Sequence, residues 1–340
     1  MQATQRQYQL HKREGAPADL RLVDAAVKQP GDTEVLVRMR ATSLNRRDHY
    51  VRMGQYPGPQ RPIIVPLSDG VGEVEAVGSR VTRFKPGARV AGIFFQGWLE
   101  GRPDQAAMST SLGGAIDGML SQYVTLDESG LVPVPAYLSD EAAAALPCAG
   151  VTAWNALVTR GRIRAGDYVL LQGTGGVSIF GLQLALALGA KPIVTSSDDG
   201  KLARARQLGA IATINYRSTP DWEKAVLEAS GGGVQQALEV GGVGTLAKTL
   251  ACVAYGGHVA LIGGLSGFGG DIPATALMGR NATASGIYVG SRADFLALND
   301  FLEKHPFKPH VERVFEYADA PAAYAWMESK DLFGKGAIRV

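Results

Sequence analysis

The chain has 340 residues, of which 46% are hydrophobic and 19% charged, so it carries enough apolar material for two globular domains. Its formal net charge is +2 and it has no basic run, which leaves no electrostatic basis for nucleic-acid binding. Two cysteines, Cys148 and Cys252, exclude a disulfide framework. No apolar run approaches the length of a membrane span and the N-terminus lacks a signal-peptide core, so we expect a soluble cytoplasmic protein.

The first third of the chain predicts β-structure. Short β-branched or alternating runs, in "EVLVRMRATSLN", "GVGEVEAVGS" and "GARVAGIFF", are separated by Gly, Pro and Asp. The segment "YPGPQRPIIVP" predicts a loop, because proline lacks a backbone donor and restricts the residue before it. Farther on, "LSDEAAAALPC" predicts a helix with Ser139 as its N-cap, and "VTAWNALVTRGRI" predicts a helix that stops near Gly161.

Between residue 168 and about residue 290, strand-like and helix-like segments alternate. The predicted strands are "YVLLQG", "KPIVTSS", "ATINY", "QQALEV" and "HVALIGG". The predicted helices are "SIFGLQLALALG", "GKLARARQLG", "DWEKAVLEAS" and "GTLAKTLACV". This rhythm predicts βαβ units around a parallel sheet. A helix-like "ADFLALNDFLEKH" and a final strand, "GKGAIRV", follow.

The glycine-rich corner after the first of these strands, "GTGGVS", predicts a dinucleotide site. The helix that begins there presents unpaired N–H groups and the positive end of its dipole, both of which favour a pyrophosphate. Bare backbone would let the pyrophosphate approach, and Ser178 replaces the usual third glycine with a small hydroxyl residue that could reach a phosphate or cap the helix. The alternative is a strand-to-helix turn without a ligand. The predicted contacts are Gly173, Thr174, Gly175, Gly176, Val177 and Ser178, with Ile262, Gly263 and Gly264 at the end of a later strand.

The end of the next strand indicates which dinucleotide is preferred. An NAD site usually places a carboxylate there, on the ribose diol. Here Ser196 and Ser197 come first and Lys201 follows, a pattern that suits a 2′-phosphate, and Tyr216 borders the same pocket. The sequence therefore favours NADP(H) over NAD(H). Two acidic residues at 198 and 199 are the counter-indication, and we interpret them as a solvated turn that caps the next helix.

Six segments in chain order carry a family resemblance: "TEVLVRMRATSLNRRD", "PLSDGVGEVEAVG", "RFKPGARV", "AALPCAGVTAWNAL", "GTGGV" and "GGHVALIGG". Together they resemble the medium-chain dehydrogenase/reductase superfamily, and in particular its zinc-independent branch of quinone oxidoreductases and zinc-free alcohol dehydrogenases. The resemblance implies an α/β fold with a GroES-like catalytic domain from residues 1–130 and 291–340. A doubly wound Rossmann domain would span residues 131–290, with the nicotinamide in the cleft between the domains. It also implies a homodimer or tetramer joined at Rossmann sheet edges through "ATASGIYVG".

Zinc enzymes of this superfamily bind the metal through a cysteine, a histidine in a Gly-His-Glu motif and a second cysteine. At these positions the sequence has Asn45, Ser68 followed by Asp69, and Cys148. One thiol with an amide and a hydroxyl does not make the ligand shell that zinc favours. The region from 86 to 130 also lacks the four cysteines of the family's structural zinc lobe. We therefore expect a metal-free protein.

The resemblance implies roles for further residues. Asn45, Tyr50 and Tyr56 match positions near the nicotinamide in similar quinone reductases, and these are the candidate catalytic residues. Thr152, Ile287 and Tyr288 match positions that contact the cofactor in relatives. The alternatives are that Asn45 caps a turn and that Tyr50 packs on its own helix, while Asp48 orients the segment through local hydrogen bonds.

The sequence thus predicts a zinc-free, NADPH-dependent oxidoreductase that acts on a small molecule. Without a Lewis acid, an alkene conjugated to a carbonyl or a quinone is easier to reduce than a simple ketone, because hydrogen bonds can hold the charge delocalised onto oxygen. A zinc-free NAD(P)-dependent alcohol or aldehyde dehydrogenase is the second interpretation. A non-catalytic NADPH-binding protein, like the lens crystallins of this family, is the third.

Overall fold

The computed structural model describes residues 3–58, 61–267, 269, 274–329 and 331–340. The chain forms two compact units, one from Met1–Val151 with Gly290–Val340 and one from Thr152–Val289. Within the described ranges, no helix is both long enough and apolar enough to cross a membrane.

The described residues of the first unit begin with a run of strands and short helices. The strands are β1 (Thr4–Arg13), β2 (Ala16–Ala26), β3 (Glu34–Ser43), β4 (Ile63–Ile64), β5 (Asp69–Val77), β6 (Arg89–Gly92), β7 (Tyr123–Asp127) and β8 (Leu131–Pro133). The helices are α1 (Arg46–Arg52), α2 (Gln105–Met108) and α3 (Asp140–Ala144), with a 3₁₀ turn at Glu128–Gly130 and a π-helical turn at Leu146–Gly150.

The chain then enters the second unit, in which strands and helices alternate as the sequence predicts. It begins with α4 (Val151–Trp154) and a π-helical segment, Asn155–Arg160, whose C-cap is Gly161. The alternating elements are β9 (Tyr168–Gln172), α5 (Gly176–Ala187), β10 (Lys191–Ser196), α6 (Asp199–Gln207), β11 (Ala212–Asn215), α7 (Trp222–Ser230), β12 (Val234–Glu239), α8 (Leu246–Ala251), β13 (Val253–Leu261), α9 (Ala274–Arg280) and β14 (Thr283–Gly286).

The last part of the chain returns to the first unit. Its elements are α10 (Arg292–Lys304), β15 (Val311–Glu316), a 3₁₀ turn at Tyr317–Asp319, α11 (Ala320–Glu328) and β16 (Lys335–Arg339). Strand β16 pairs antiparallel with β3, so the end of the chain completes the sheet that the first third began.

Two sheets build the first unit. The larger has the order β15-β16-β3-β5-β6-β8, with β7 also paired to β3, and the smaller has the order β2-β1-β4. The apolar alternation of β3 buries Val35, Val37 and Met39 in one cluster with Val74 and Leu131. These buried side chains explain why the alternating runs of the first third form strands.

Residues 131–151, which the sequence assigns to the Rossmann domain, group with the first unit. Strand β8 pairs with β6, and the Ser43 hydroxyl donates to the carbonyl oxygen of Ala144 at 2.7 Å. Helix α3 begins as predicted, because Ser139 accepts from the Ala142 N–H at 3.3 Å. These contacts join residues far apart in sequence, so the local pattern does not reveal the boundary.

The sheet of the second unit is entirely parallel and has the order β11-β10-β9-β12-β13-β14. Strand order reverses between β9 and β12, which makes this the switch point of a doubly wound sheet. The predicted α/β fold is confirmed. Strand β14, from the segment predicted to join two copies, is the terminal strand of this sheet, as such a contact requires; the dimer itself stays a prediction.

A strained backbone position lies just before β5. Leu67 is fully buried with φ +69°, a left-handed conformation that branched residues rarely adopt, and Gly113 and Gly118 pack against its backbone. A Cβ built at Gly113 would lie 2.7 Å from the Leu67 nitrogen. The close packing of these glycines therefore holds the segment that leads into Ser68 and Asp69.

We expect Gly118→Ala to lower the free energy of unfolding by about 1–3 kcal/mol, because its methyl group would collide with the carbonyl oxygens of Pro66 and Leu67. Gly279→Ala is the matched control, since a Cβ there meets no described atom within 4 Å. Urea denaturation of the two variants and the parent measures the difference. Equal stability of the two variants would show that the loop relaxes without cost.

Candidate functional site

The carboxyl ends of the parallel strands bring most of the predicted cofactor residues to one edge of the second unit. These residues are 173–178 after β9, Ser196, Ser197 and Lys201 after β10, Tyr216 after β11, Ile262, Gly263 and Gly264 after β13, and Ile287 and Tyr288 after β14. Thr152 lies in α4 and is buried. Ligands of open α/β sheets bind at this edge, next to the switch point.

The glycine corner is open at the N-terminus of α5. Gly173 has φ +69°, which favours glycine, and its N–H donates to the Thr195 carbonyl at 2.7 Å. Gly175 has φ −79° and ψ −178°, which any residue adopts, yet a Cβ built there meets no described atom within 4 Å. Neither backbone strain nor packing therefore requires glycine at 175. The space beside it fits an anion drawn to the helix N-terminus.

Ser178 and Gly181 bring α5 close to the sheet. The buried Ser178 hydroxyl donates to the Gln172 carbonyl at 2.6 Å, so it ties the helix to the end of β9. A Cβ at Gly181 would lie 3.0 Å from a Leu238 methyl group and 3.1 Å from a Leu171 methyl group. Ser178 and Gly181 thus both allow the helix to approach the sheet closely. The Ser178 hydroxyl is hydrogen-bonded within the protein, and its contact with a phosphate stays a prediction.

The two carboxylates after β10 serve local structure. Asp198 accepts from the Lys201 N–H at 2.9 Å as the N-cap of α6, and Asp199 accepts from the Asn215 side-chain amide at 2.8 Å. The capping interpretation of this turn is confirmed. The N–H of Tyr216 donates to the Ser196 carbonyl at 3.1 Å, so the ends of β10 and β11 are adjacent there.

A buried carboxylate that the sequence reasoning missed organises the loop after β12. Glu239 is 1% exposed and is the last residue of β12. Its partners are Gly241 N–H and Gly242 N–H at 2.9 Å, Thr245 Oγ1 at 2.6 Å, Gln172 Nε2 at 2.7 Å and Thr249 Oγ1. This network joins the loop to the end of β9, directly before the glycine corner. The signal in the sequence was an acid at the end of a predicted strand, two residues before the pair Gly241–Gly242.

Asn155 is a second residue that the sequence reasoning missed. Its buried side chain donates to the Val289 carbonyl at 2.7 Å, and Val289 has φ +60°. The segment that it holds includes Ile287, which is buried, and Tyr288, which is 42% exposed. Asn155 therefore fixes the strained backbone that follows the two predicted cofactor residues.

In the first unit, the predicted catalytic residues lie on or beside α1. Asn45 is the N-cap residue, and its backbone N–H donates to Asp48 Oδ2 at 2.7 Å. The predicted orienting role of Asp48 is confirmed by this bond. Burial raises the pKa of Asp48 to about 6, although the Arg47 guanidinium and the Asn45 N–H act in the opposite direction.

The tyrosines differ in their surroundings. Tyr56 is half-buried and its ring lies 4.7 Å from the guanidinium carbon of the buried Arg47. Tyr50 is also half-buried, and its ring packs edge-on against the His49 ring at 5.6 Å. His49 Nδ1 lies 3.0 Å from Glu328 Oε1, so this histidine is paired with an acid. Arg47, which sequence reasoning did not single out, thus ties Tyr56 to α1.

Behind Asn45 lies a cluster of buried polar groups centred on Lys335. The Lys335 Nζ donates to the Leu44 carbonyl at 2.7 Å and to Asn45 Oδ1 at 2.5 Å, and lies 3.3 Å from Asp69 Oδ2. The Ser68 hydroxyl donates to Asp69 Oδ1 at 2.8 Å. Lys335 is 4% exposed, and Ser68 and Asp69 are fully buried. The carboxamide oxygen of Asn45 therefore faces the lysine.

Comparison with known proteins finds two family models along the chain. Residues 31–136 match the alcohol dehydrogenase GroES-like domain, and residues 176–304 match the zinc-binding dehydrogenase family. A zinc-type alcohol dehydrogenase-like protein of Schizosaccharomyces pombe is 41% identical over 314 residues, which cover 90% of this chain and 91% of the relative. The chain belongs to the medium-chain dehydrogenase/reductase superfamily.

Other proteins of this superfamily are also similar to the chain over almost its whole length. The quinone oxidoreductase of Pseudomonas aeruginosa is 34% identical over 336 residues, covering 94% of this chain and 95% of the relative. A crystal structure from Sinorhizobium meliloti, described as that of an alcohol dehydrogenase, is 40% identical with a TM-score of 0.93 and covers all of both chains. As a member of this superfamily, the protein is an oxidoreductase with an NAD(P)-binding fold.

The donor set of this superfamily member does not suit zinc at the positions where relatives bind it. Asn45, Ser68 and Asp69 already surround a lysine, which carries a positive charge of its own. Zinc in proteins is held by thiolates, imidazoles and carboxylates, and amide or hydroxyl side chains are not its usual ligands. Cys148 supplies the one thiol at these positions. Among the described residues, no group of three or more His, Cys, Asp or Glu side chains could hold a metal ion.

The raised pKa of Asp48 predicts a pH dependence of stability. Between about pH 4 and pH 6 the folded chain holds this proton more tightly than the unfolded chain, so the free energy of unfolding decreases as the pH rises through that window. The decrease is about 3 kcal/mol at most. Asp48→Asn should remove this decrease, which urea titrations at several pH values would measure.

Asp19→Asn is the control for that experiment. Asp19 is partly exposed, and hydrogen bonds from Arg21 and Arg13 lower its pKa, so its contribution to stability is lost as the pH falls through that lowered pKa. The Asp19 variant should therefore keep the decrease that Asp48 causes. A parent protein and an Asp48→Asn variant with parallel pH profiles would contradict the assignment.

Proposed function

We propose that the protein is an NADPH-dependent reductase that transfers hydride, without zinc, to an alkene conjugated to a carbonyl or to a quinone. The observation that carries this proposal is the lysine among Asn45, Ser68 and Asp69, at positions where zinc-binding relatives hold their metal. Because the ammonium group of Lys335 lies among these residues in place of a metal ion, only hydrogen-bond donors can polarise the substrate oxygen.

The chemistry follows from those donors. Bound NADPH supplies the hydride when it reduces the β-carbon of an enone or enal. Negative charge then develops on the conjugated oxygen, where the Asn45 amide N–H stabilises it. Tyr56 or a water molecule delivers the proton that completes the reduction. An alcohol substrate would instead have to lose its hydroxyl proton without a Lewis acid, which is harder.

The preference for NADP(H) rests on the end of β10. Asp198 and Asp199 are engaged in capping and in the bond to Asn215, so neither is held ready for a ribose diol. Ser197 and Lys201 follow the strand in the place where a 2′-phosphate would be recognised. We therefore expect a lower Kd for NADPH than for NADH.

A zinc-free alcohol or aldehyde dehydrogenase is the second candidate. It is favoured by the names of two similar proteins: the Sinorhizobium meliloti structure described as an alcohol dehydrogenase, and an NAD-dependent alcohol dehydrogenase structure that is 33% identical with a TM-score of 0.87.

Turnover of enones, enals, quinones, alcohols and aldehydes, each measured with and without a metal chelator, separates the two candidates. We expect NADPH oxidation by an enone, enal or quinone at a rate that the chelator leaves unchanged. Asn45→Ala should lower kcat by about 10²-fold, since it removes a donor to the developing oxyanion. Chelator-sensitive turnover, or efficient turnover of alcohols alone, would refute the proposal.

The glycine corner gives a separate prediction for cofactor binding. Gly175→Val should raise the Kd for NADPH by at least about 10²-fold while leaving the melting temperature near that of the parent, because the added side chain enters open space that the diphosphate would need. Gly279→Ala is again the control. Fluorescence titration measures the Kd. Unchanged affinity in the Gly175 variant would place the diphosphate elsewhere.

A further inference from the structure

We infer that Lys335 is a positioning residue that fixes the side-chain amide of Asn45 as a hydrogen-bond donor toward substrate; this inference rests on the proposed function. Lys335 comes from the last strand of the chain and Asn45 from the connection between β3 and α1. Their side chains meet at 2.5 Å although 290 residues separate them in sequence.

The backbone fixes this meeting. Ala337 of β16 is the pairing partner of Ser43 in β3, and the Leu44 N–H donates to the Gly336 carbonyl at 3.0 Å. The side chain of Lys335, one residue before Gly336, then reaches the Leu44 carbonyl and the Asn45 side chain together. The lysine is therefore held by sheet register and does not rely on its own flexible side chain for its direction.

The chemistry of the ammonium group decides the orientation of the amide. An ammonium group only donates hydrogen bonds, so the Asn45 group that faces it must be the carbonyl oxygen, Oδ1. The amide nitrogen is thereby turned away from Lys335 and toward the Ser68 hydroxyl, which lies 3.5 Å from it. That distance is long for a hydrogen bond, so Nδ2 keeps its donor capacity for another acceptor.

Asp69 and Ser68 complete the arrangement. Asp69 lies 3.3 Å from the ammonium nitrogen and balances its charge in a fully buried place, and it receives the Ser68 hydroxyl proton. The Ser68 oxygen is left as an acceptor that cannot donate to Asn45, so both neighbours of the carboxamide favour the same orientation. A neutral side chain at position 335 would remove the main constraint on the Asn45 carboxamide and allow its oxygen and nitrogen to exchange places by rotation.

The experiment is a kinetic double-mutant cycle. The combined substitution Lys335→Met with Asp69→Asn removes both members of the buried pair, because either change alone would leave an uncompensated charge and destabilise the fold. We expect it to lower kcat for the accepted substrate by about 10²-fold with an unchanged Kd for NADPH, since misplacing a donor costs about that much. In the Asn45→Ala background the same pair should change kcat by less than about twofold, because its target is gone.

The outcomes are distinct. Effects that multiply fully in the two backgrounds would show that Lys335 acts independently of Asn45 and would overturn the inference. Lys335→Arg keeps a pure donor at this position and should restore part of the lost kcat in the Asp69-intact protein; a variant as slow as the neutral pair would also count against the inference. Melting temperature and NADPH affinity, measured on each variant, identify any that fail to fold.

A spectroscopic readout separates this inference from the proposed function. In ¹⁵N-labelled protein the Asn45 side-chain amide is identified by its absence from the spectrum of the Asn45→Ala variant. A single orientation in the parent and averaged or shifted resonances in the Lys335→Met, Asp69→Asn variant support positioning even if no enone, enal or quinone is reduced. Identical resonances in both proteins refute positioning, even if the proposed reduction is observed.

Discussion

The pairing of β16 with β3 is the constraint on which the polar cluster of the first unit depends. It carries Lys335 from the end of the chain to Asp69, Ser68 and Asn45, near its beginning. Burying an ion pair is unfavourable unless further hydrogen bonds satisfy both partners. Here the Leu44 carbonyl, the Asn45 carboxamide and the Ser68 hydroxyl supply those bonds. The Lys335 and Asp69 side chains therefore stay charged although they are buried, and their orientations are fixed.

The second unit presents backbone, with few charged side chains, at the place where we propose that the diphosphate of the cofactor binds. Its switch point places the N-terminus of α5 beside an open corner at Gly173 and Gly175. The Glu239 network secures the neighbouring loop by accepting hydrogen bonds from the backbone N–H groups of Gly241 and Gly242. The loop beside the glycine corner is thus hydrogen-bonded to the end of β9, and the space next to Gly173 and Gly175 is open.

Two strained backbone positions lie beside segments that hold predicted site residues. Leu67 precedes Ser68 and Asp69, and Val289 follows the two predicted cofactor residues at 287 and 288; both have left-handed φ angles and are buried. Such conformations persist only when surrounding contacts determine them. Gly113 and Gly118 do so for Leu67, and the Asn155 amide does so for Val289. Packing and hydrogen bonds therefore maintain geometry at both places that the local sequence does not favour.

The local sequence pattern was sufficient to predict many of the strands, helices and turns of this protein. The alternation of strands and helices, the glycine corner, the Ser139 cap and the Asp198 cap are written in neighbouring residues, because periodicity, caps and tight turns depend on contacts a few positions apart. The resemblance of its motifs to the superfamily also pointed to Asn45. Tertiary structure alone decided that residues 131–151 join the first unit, that Glu239 secures the loop next to β9 and that Lys335 faces Asn45. Those facts depend on strand pairing and buried polar contacts between distant parts of the chain, and no local pattern encodes which distant group will satisfy a buried charge.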